Sequence, residues 1–596
     1  MFKLFLITNK KKLRKFYNKL NNTINYKMTT TLQSELKSNI TFDNKILSHD
    51  FSSHVDLINK NFKFGTLNLK MNKTEPLIKK RHIVFTTDCS GSMSDICNDG
   101  KTKMDHSNHT LINMITYFAN HPELSVVVSV YSFDGSVYTI FENIEITREN
   151  LDTLIHDIKN IRPKDTTDIE KALKNSNEYI SNYISKNNDV DVTHIFMTDG
   201  DATQGNSNPE TLKSLVNPLV PNIFIGFGID HNACLLKELS SQNKNNYYFV
   251  DALEKAGLVY GEILHAFIYK FLENTNITVT NGLLYDWKQN SWVDKLCIGD
   301  LTSESNKTIH ILSEDPINFT CVIESSHCLT KEVNILTVEN NNINEFEDLS
   351  KHTYRQRTQE LLFEVNAHNF NNMRCYDPLK FSLYGNDYDT FSSKQKENGR
   401  FLKEKMHNLL KEMTPHKEDQ FIKVLCDDIY VCLQTFETKY SAMYSCARQV
   451  SQGAQRSYSA NHSNIKNNCI NSNINDIGIP FPRFIMQRSY ACHYSNSQEE
   501  PEDEINANVF SKLLPDIEEE TSFNLSLNRP STDSNITFND NNTNGKIRDT
   551  DYDYNSKDVL DNYTVSEQTD NPYVSDSVLE LMRSCSASVD ENKLFK

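Results

Sequence analysis

His82-Ile-Val-Phe-Thr-Thr-Asp88-Cys-Ser90-Gly-Ser92-Met93 is the stretch from which the fold is read. Its first six residues form a short apolar strand. Asp88 ends that strand, and two hydroxyls follow at alternate positions. Asp-x-Ser-x-Ser alone is a weak pattern in a chain this rich in Asp and Ser, so its weight comes from its surroundings. Leu111 to Ala119 reads as a helix, and Ser125 to Phe133 as a near-continuous apolar strand of the kind buried on both faces. Glu149–Ile161 and Ile169–Ile184 are amphipathic helices; in the second, Ile169, Ala172, Leu173, Ile180 and Ile184 share one face. Val192–Thr198, Asn222–Gly228 and Tyr247–Val250 read as strands, separated by helices over Glu210–Val216 and Ala233–Ser240. A long helix is expected over Leu253–Leu272. Strands alternating with helices predict an α/β fold, a doubly wound and mostly parallel sheet covered on both faces. Asp88 then lies at the carboxyl edge of the sheet, where open α/β folds place their ligands.

Two later segments suit the same edge. Asp165-Thr-Thr167-Asp-Ile-Glu-Lys-Ala-Leu173 opens an amphipathic helix, and Ile195-Phe-Met-Thr-Asp199-Gly200-Asp201 ends a strand with an acid. Together these segments resemble the metal-ion-dependent adhesion site of the von Willebrand factor A (VWA) domain, over residues 80–270. The resemblance implies a Rossmann-like VWA fold and a metal site built from Asp88, Ser90, Ser92, Thr167 and Asp199. It also implies Mg²⁺ (or Mn²⁺) as the ion. Hard divalent cations favour oxygen donors and retain waters, which suits hydroxyls and carboxylates. Two acids and three neutral hydroxyls leave the ion under-neutralised, so the resemblance further implies a protein partner that offers an acidic side chain. A different reading of the same residues is an ion that only staples three loops.

Asp95 is read either as an acid in the first turn of a helix, where the dipole favours it, or as part of an adjacent metal site of the integrin β type. Asp134 is expected to make turn hydrogen bonds. An insertion, Asn98 to Asn108, separates the metal loop from the first helix and is a candidate lid.

Outside this region, residues 1–40 form a basic tail expected to be flexible, and translation starting at Met28 would remove most of its charge. Residues 41–79 hold a strand, Phe62–Met71, expected to pair with an antiparallel β-sandwich over 271–345. That sandwich contains Ile277–Thr280, a hairpin signal at Asn281-Gly282, and strands at Thr308–Leu312 and Phe319–Ile323. Residues 346–470 read as helical, around Gln356–Val365, Phe401–Met413 and Phe421–Tyr440. Within them Met443-Tyr-Ser-Cys-Ala-Arg448-Gln and Gln455-Arg456 resemble the end of the Vwaint module that follows VWA domains in Hint-bearing proteins. No Hint module is recognisable, and the absence of CxxC pairs gives no support to the RING finger of ubiquitin-ligase relatives. Residues 471–596 are expected to be an acidic, mostly disordered tail; from Glu499 acids outnumber bases by about 22 to 8. An acid within Glu499–Glu504 or Asp516–Glu520 is a candidate self-ligand for the metal. Ala454-Gln-Arg-Ser-Tyr458 is echoed at Met486-Gln-Arg-Ser-Tyr490, either by chance or as a short linear motif.

The chain has 596 residues and a formal charge of −17, which argues against a general nucleic-acid coat. Thirteen scattered cysteines fit a reduced intracellular chain better than a disulfide framework. No signal peptide or transmembrane helix is read, so the expected location is intracellular, in the cytoplasm. No P-loop, HExxH or GxSxG sequence is present, and Cys321, His327 and Cys328 are read as sheet residues. The expectation is a non-enzymatic interaction protein, with an adaptor for a ubiquitin ligase or AAA+ machine as the alternative, or a purely structural protein.

Overall fold

The computed structural model describes residues 35–46, 62–375, 387–456, 563 and 571–587, apart from short gaps at 78, 98–99, 165, 188–189, 201, 229–230, 243, 251–252, 341–347 and 439. Tyr563 aside, these residues belong to one unit.

The chain enters through β1 (Leu36–Ile46) and β2 (Lys63–Met71), an antiparallel pair. The α/β region then runs β3 (Arg81–Asp88), α1 (Lys103–Asn120), β4 (Val126–Phe133), β5 (Val137–Glu145), α2 (Leu151–Lys159), α3 (Ile169–Lys186), β6 (Asp191–Thr198), α4 (Pro209–Ser214), β7 (Asn222–Phe227), α5 (Ala233–Leu239), β8 (Asn246–Val250) and α6 (Leu253–Ile268). Its six strands form one sheet in the order β5-β4-β3-β6-β7-β8. All neighbours are parallel except the edge pair β4–β5. Every residue of β3 is buried, because helices cover both faces of the sheet. On α3, Ile169, Ala172, Leu173 and Ile180 are buried as their spacing requires. The edge strand β5 is new relative to the sequence reading. It buries only Phe141 and carries no long apolar run.

Three expectations are corrected. The long helix ends at Ile268, not Leu272, and a strand begins at Lys270. The first helix starts at Lys103, eight residues before Leu111, because Thr102 and Asp105 form a reciprocal capping box. Asp95 therefore precedes the helix, and residues 103–108 of the insertion form its first turns.

Two antiparallel sheets follow, built from β9 (Lys270–Thr280), β10 (Leu283–Asp286), β11 (Ser291–Val293), β12 (Lys295–Thr302), β13 (Asn306–Ser313), β14 (Thr320–His327) and β15 (Val333–Glu339). The first has the order β1-β2-β13-β10-β11 and the second β12-β9-β14-β15. β2 pairs with β13 along its whole length, from Lys63↔Ser313 to Lys70↔Asn306. The strand before the α/β region is thus completed by a strand after it. Leu67 and Leu69 pack with Ile277, Ile311 and Cys321 between the sheets. The Asn281-Gly282 turn does not make a hairpin: Asn281 has φ +61, but β9 and β10 lie in different sheets. Tertiary pairing with β13 and β14 prevails over the local signal.

Among the described residues, four helices come next: α7 (Ser350–Cys375), α8 (Asp387–Met413), α9 (Gln420–Thr435) and α10 (Ser441–Ala454). The last element, α11 (Asp576–Ala587), lies inside the segment expected to be a tail, and its Leu581 joins the α/β core. Gly261 of α6 permits that packing, since a Cβ there would lie 2.9 Å from the Val578 carbonyl oxygen. The acidic runs Glu499–Glu504 and Asp516–Glu520, the basic segment 1–34 and the Met486–Tyr490 echo lie outside the described residues.

Candidate metal centre

β3 and β6 are adjacent and parallel, with Thr87 opposite Met197. That register brings Asp88, at the end of β3, beside Thr198 and Asp199 at the end of β6. Asp88 is fully buried. Its Oδ1 accepts the Ser90 amide at 2.8 Å, and its Oδ2 accepts the Thr198 hydroxyl at 2.5 Å. Thr198 Oγ1 in turn accepts the Gly200 amide at 2.9 Å. Gly200 has φ +80, and a Cβ there would crowd Asn232 at 3.1 Å.

After Asp88 the chain makes a 3₁₀ turn, Gly91–Ser94. Ser90 Oγ and Ser92 Oγ are 3.1 Å apart. Ser90 is buried, Ser92 half-buried and Gly91 exposed, so the hydroxyl pair borders solvent on one side.

The third segment is pinned to both others. Lys164 donates its amide to the Cys89 carbonyl at 2.7 Å, and Asp168 donates to the Asp134 carbonyl at 2.9 Å. Thr167 is buried; its carbonyl accepts the amides of Thr203 and Gln204 at 3.0 Å each. Asp134 caps the turn after β4, its Oδ1 accepting the Ser136 amide at 2.7 Å. Asp165 and Asp201 lie outside the described residues.

Asp199 is buried and accepts the Lys103 ammonium on Oδ2 at 3.1 Å. Its Oδ1 has no hydrogen-bond partner among the described residues. Lys103 also lies 3.7 Å from Asp95 Oδ2. Burial pushes the Asp88 carboxyl up to about 7, and the Asp199 charge adds to it, against the hydrogen bonds from Thr198 and Ser90.

The donors suit a hard divalent cation. They are all oxygens, two of them carboxylates, and a buried carboxylate oxygen without a partner is costly unless a cation or donor meets it. Sequence reasoning named Asp88, Ser90, Ser92, Thr167 and Asp199, and the structure sets them on three loops at one edge of the sheet. It missed Thr198 and Lys103. Thr198 adjoins Asp199, so strand pairing was a usable signal for it; nothing local marked Lys103.

A second acidic group, Asp191, Glu273 and Cys328, sits at the opposite end of the sheet. It is an ion-pair cluster: Lys270 Nζ lies 2.8 Å from Asp191 and 3.3 Å from Glu273. Burial alone would raise the Asp191 carboxyl, but Lys270 and Lys79 hold it below its ordinary value. Cys321 is a buried residue of β14, whose last residue is His327; Cys328 follows the strand. Cys89, Cys234, Cys297, Cys321, Cys328, Cys432 and Cys446 are free thiols.

Residues 82–260 match the model of the von Willebrand factor type A domain family. No curated protein matches the chain. Among solved structures, a von Willebrand factor type A protein from Catenulispora acidiphila is similar at 10% identity, covering 66% of this chain and 89% of that one, with a TM-score of 0.42. The ArnB paralog VWA2 from Sulfolobus acidocaldarius is similar at 12% identity, covering 70% and 99%, with a TM-score of 0.41. A proximal thread matrix protein of the mussel byssus, described with a zinc-occupied MIDAS motif, is similar at 20% identity, covering 32% and 49%, with a TM-score of 0.26. No helix among the described residues is long and apolar enough to cross a membrane.

Proposed function

We propose that the VWA domain of this chain is a divalent-metal-dependent protein-binding module, and that the protein is a binding protein, not an enzyme. Asp88, Ser90, Ser92, Thr167 and Asp199 would hold Mg²⁺ or Mn²⁺. When bound, the ion supplies a hard positive charge that accepts a carboxylate from a protein partner. The observation that carries this reading is the buried Asp199 Oδ1, a carboxylate oxygen with no donor among the described residues, beside a second buried carboxylate at the ligand edge of the sheet.

The chain's own residues do the organising. Thr198 and the Ser90 amide fix both oxygens of Asp88. The Thr167 loop is locked by Thr203 and Gln204. Burial excludes water from the carboxylates and strengthens their attraction for a cation. The β-sandwich and the helices brace this module; their likeness to a Vwaint region rests on α10 and Gln455-Arg456.

The test is affinity capture with the full chain in Mg²⁺ and in EDTA, with Asp88→Ala as control. Partners retained in Mg²⁺ and lost both in EDTA and in the variant support the proposal. Equal capture in all three conditions would leave a loop-stapling ion or none. Enrichment of ubiquitin-pathway or AAA+ proteins in the metal-dependent fraction would favour the adaptor role. The candidate self-ligand in the acidic segment is tested by a deletion that spares α11, which packs on the α/β core. Removing 499–562 tightens partner binding if an acid there competes for the ion, and changes nothing if it does not.

A further inference from the structure

Lys103 is an unusual neighbour for a cation site. It is the first residue of α1, and its side chain is buried, 4% exposed. Burying an ammonium costs free energy unless it is paired. Its placement is built. The loop between Asp95 and Lys103 is closed by the Ile96–Thr102 bridge, by the Cys97 amide on the Lys101 carbonyl at 2.7 Å, and by the Lys103 amide on the Asp95 carbonyl at 3.1 Å. The Thr102–Asp105 capping box then fixes the start of the helix. These contacts aim the ammonium at Asp199 Oδ2, 3.1 Å away, with Asp95 Oδ2 at 3.7 Å. The Asp95 side chain is about half exposed (46%) and sits on the solvent side of the pair.

We propose that Lys103 is the built-in counter-cation of the metal centre, which a divalent ion displaces from Asp199 onto Asp95 when it binds. The inference rests on the metal reading above and adds its regulation. An ammonium and a divalent ion drawing on one buried carboxylate repel each other at close range, where screening by water is weak. Metal binding therefore requires the lysine to move, and Asp95 is the acid already within its reach. The intrinsic affinity for metal is lowered by that exchange. A partner carboxylate, which adds negative charge at the ion, restores it, so tight metal binding and partner binding are coupled.

The test is calorimetric titration of Mn²⁺ into the full-length chain and its variants, with circular dichroism melts in EDTA confirming the fold. Lys103→Met is expected to bind Mn²⁺ roughly tenfold tighter than wild type, or more. Lys103→Gln, which keeps hydrogen-bonding capacity without the charge, serves if the methionine variant does not fold. Asp95→Asn is expected to weaken binding by a few-fold in the wild-type background and less in Lys103→Met, since much of its effect runs through the lysine. Equal affinities in wild type and Lys103→Met would mean that lysine and metal share Asp199 through its two oxygens; that overturns the exchange and leaves the metal reading intact. Binding in none of the variants overturns both. Binding in Lys103→Met but not in wild type supports the exchange in its strongest form.

Discussion

The hydroxyl of Thr198 donates to Oδ2 of Asp88 across the β3–β6 pair at 2.5 Å, while its own oxygen accepts the Gly200 amide. One side chain thereby orients the central acid and the turn that carries Asp199. Removing it as Thr198→Val keeps the shape and deletes both bonds. Metal affinity is expected to fall by about 10- to 100-fold, as for other residues that orient a ligand. Mn²⁺ calorimetry measures this; an unchanged affinity would show that Asp88 does not need the bond.

Gln455 grips β13 through both ends of its amide. Oε1 accepts the Thr308 amide at 2.7 Å, and Nε2 donates to the Thr308 carbonyl at 2.9 Å. Next to it, the Arg456 guanidinium stacks 3.6 Å from the centre of the Tyr248 ring. These two residues tie the helical region to the sandwich and to the VWA sheet. Gln455→Ala leaves the Thr308 amide without its acceptor, while the Thr308 carbonyl keeps the Arg355 guanidinium at 2.9 Å, and is expected to cost about 1–3 kcal/mol. Urea denaturation would register it as a lower midpoint, with Mn²⁺ affinity retained.

Gly261 sets the approach of α11. Gly261→Leu drives a side chain against the Val578 carbonyl and the Met582 amide, which a Cβ alone would meet at 2.9 and 3.2 Å. Overpacking of this kind costs about 1–3 kcal/mol. The segment 571–587 should become the first site of limited proteolysis, while wild type protects it. Equal protection in both would contradict the packing.

Acid sensitivity follows from buried imidazoles. His82, His109, His194 and His265 are each pushed down to about 4 by burial, from an ordinary 6.5. His194 is held neutral between Thr86 and Asn222 at 3.1 and 3.0 Å. A depressed folded value means the unfolded chain takes up protons first. Stability is therefore full above 6.5 and declines as pH falls towards 4, by up to about 1.4 kcal/mol per pH unit for each group. Asp88, raised to about 7, and Asp300, raised by burial, work in the opposite sense in metal-free protein, against these four and the likewise lowered His310 and His352. Urea midpoints from pH 8 to pH 5 should fall, less steeply in His194→Gln. A flat profile would contradict this.

The α/β sheet was legible because β3 and β4 are apolar runs whose neighbours are helices of strong period. The five proposed donors were legible because each follows a strand or opens a helix at a recognisable spacing. Lys103 was not, since its position depends on the Ile96–Thr102 bridge and the Lys103–Asp95 backbone bond, which no periodicity describes. Nor was β5, an edge strand with half its faces in water. Asn281-Gly282 misled because a turn is local, while the pairing of β10 with β13 closes over more than twenty residues. The α11 helix was hidden by acidic flanks; Val578 and Leu581 form an apolar stripe too short to stand out from that composition.

One titration tests the metal centre most directly: Mn²⁺ into the full-length chain, beside Asp88→Ala, at pH 8. Binding at one site in wild type, absent in Asp88→Ala while its fold is preserved, is the predicted result. No binding in either the folded wild type or the folded Lys103→Met variant, or the same binding in Asp88→Ala, would contradict it.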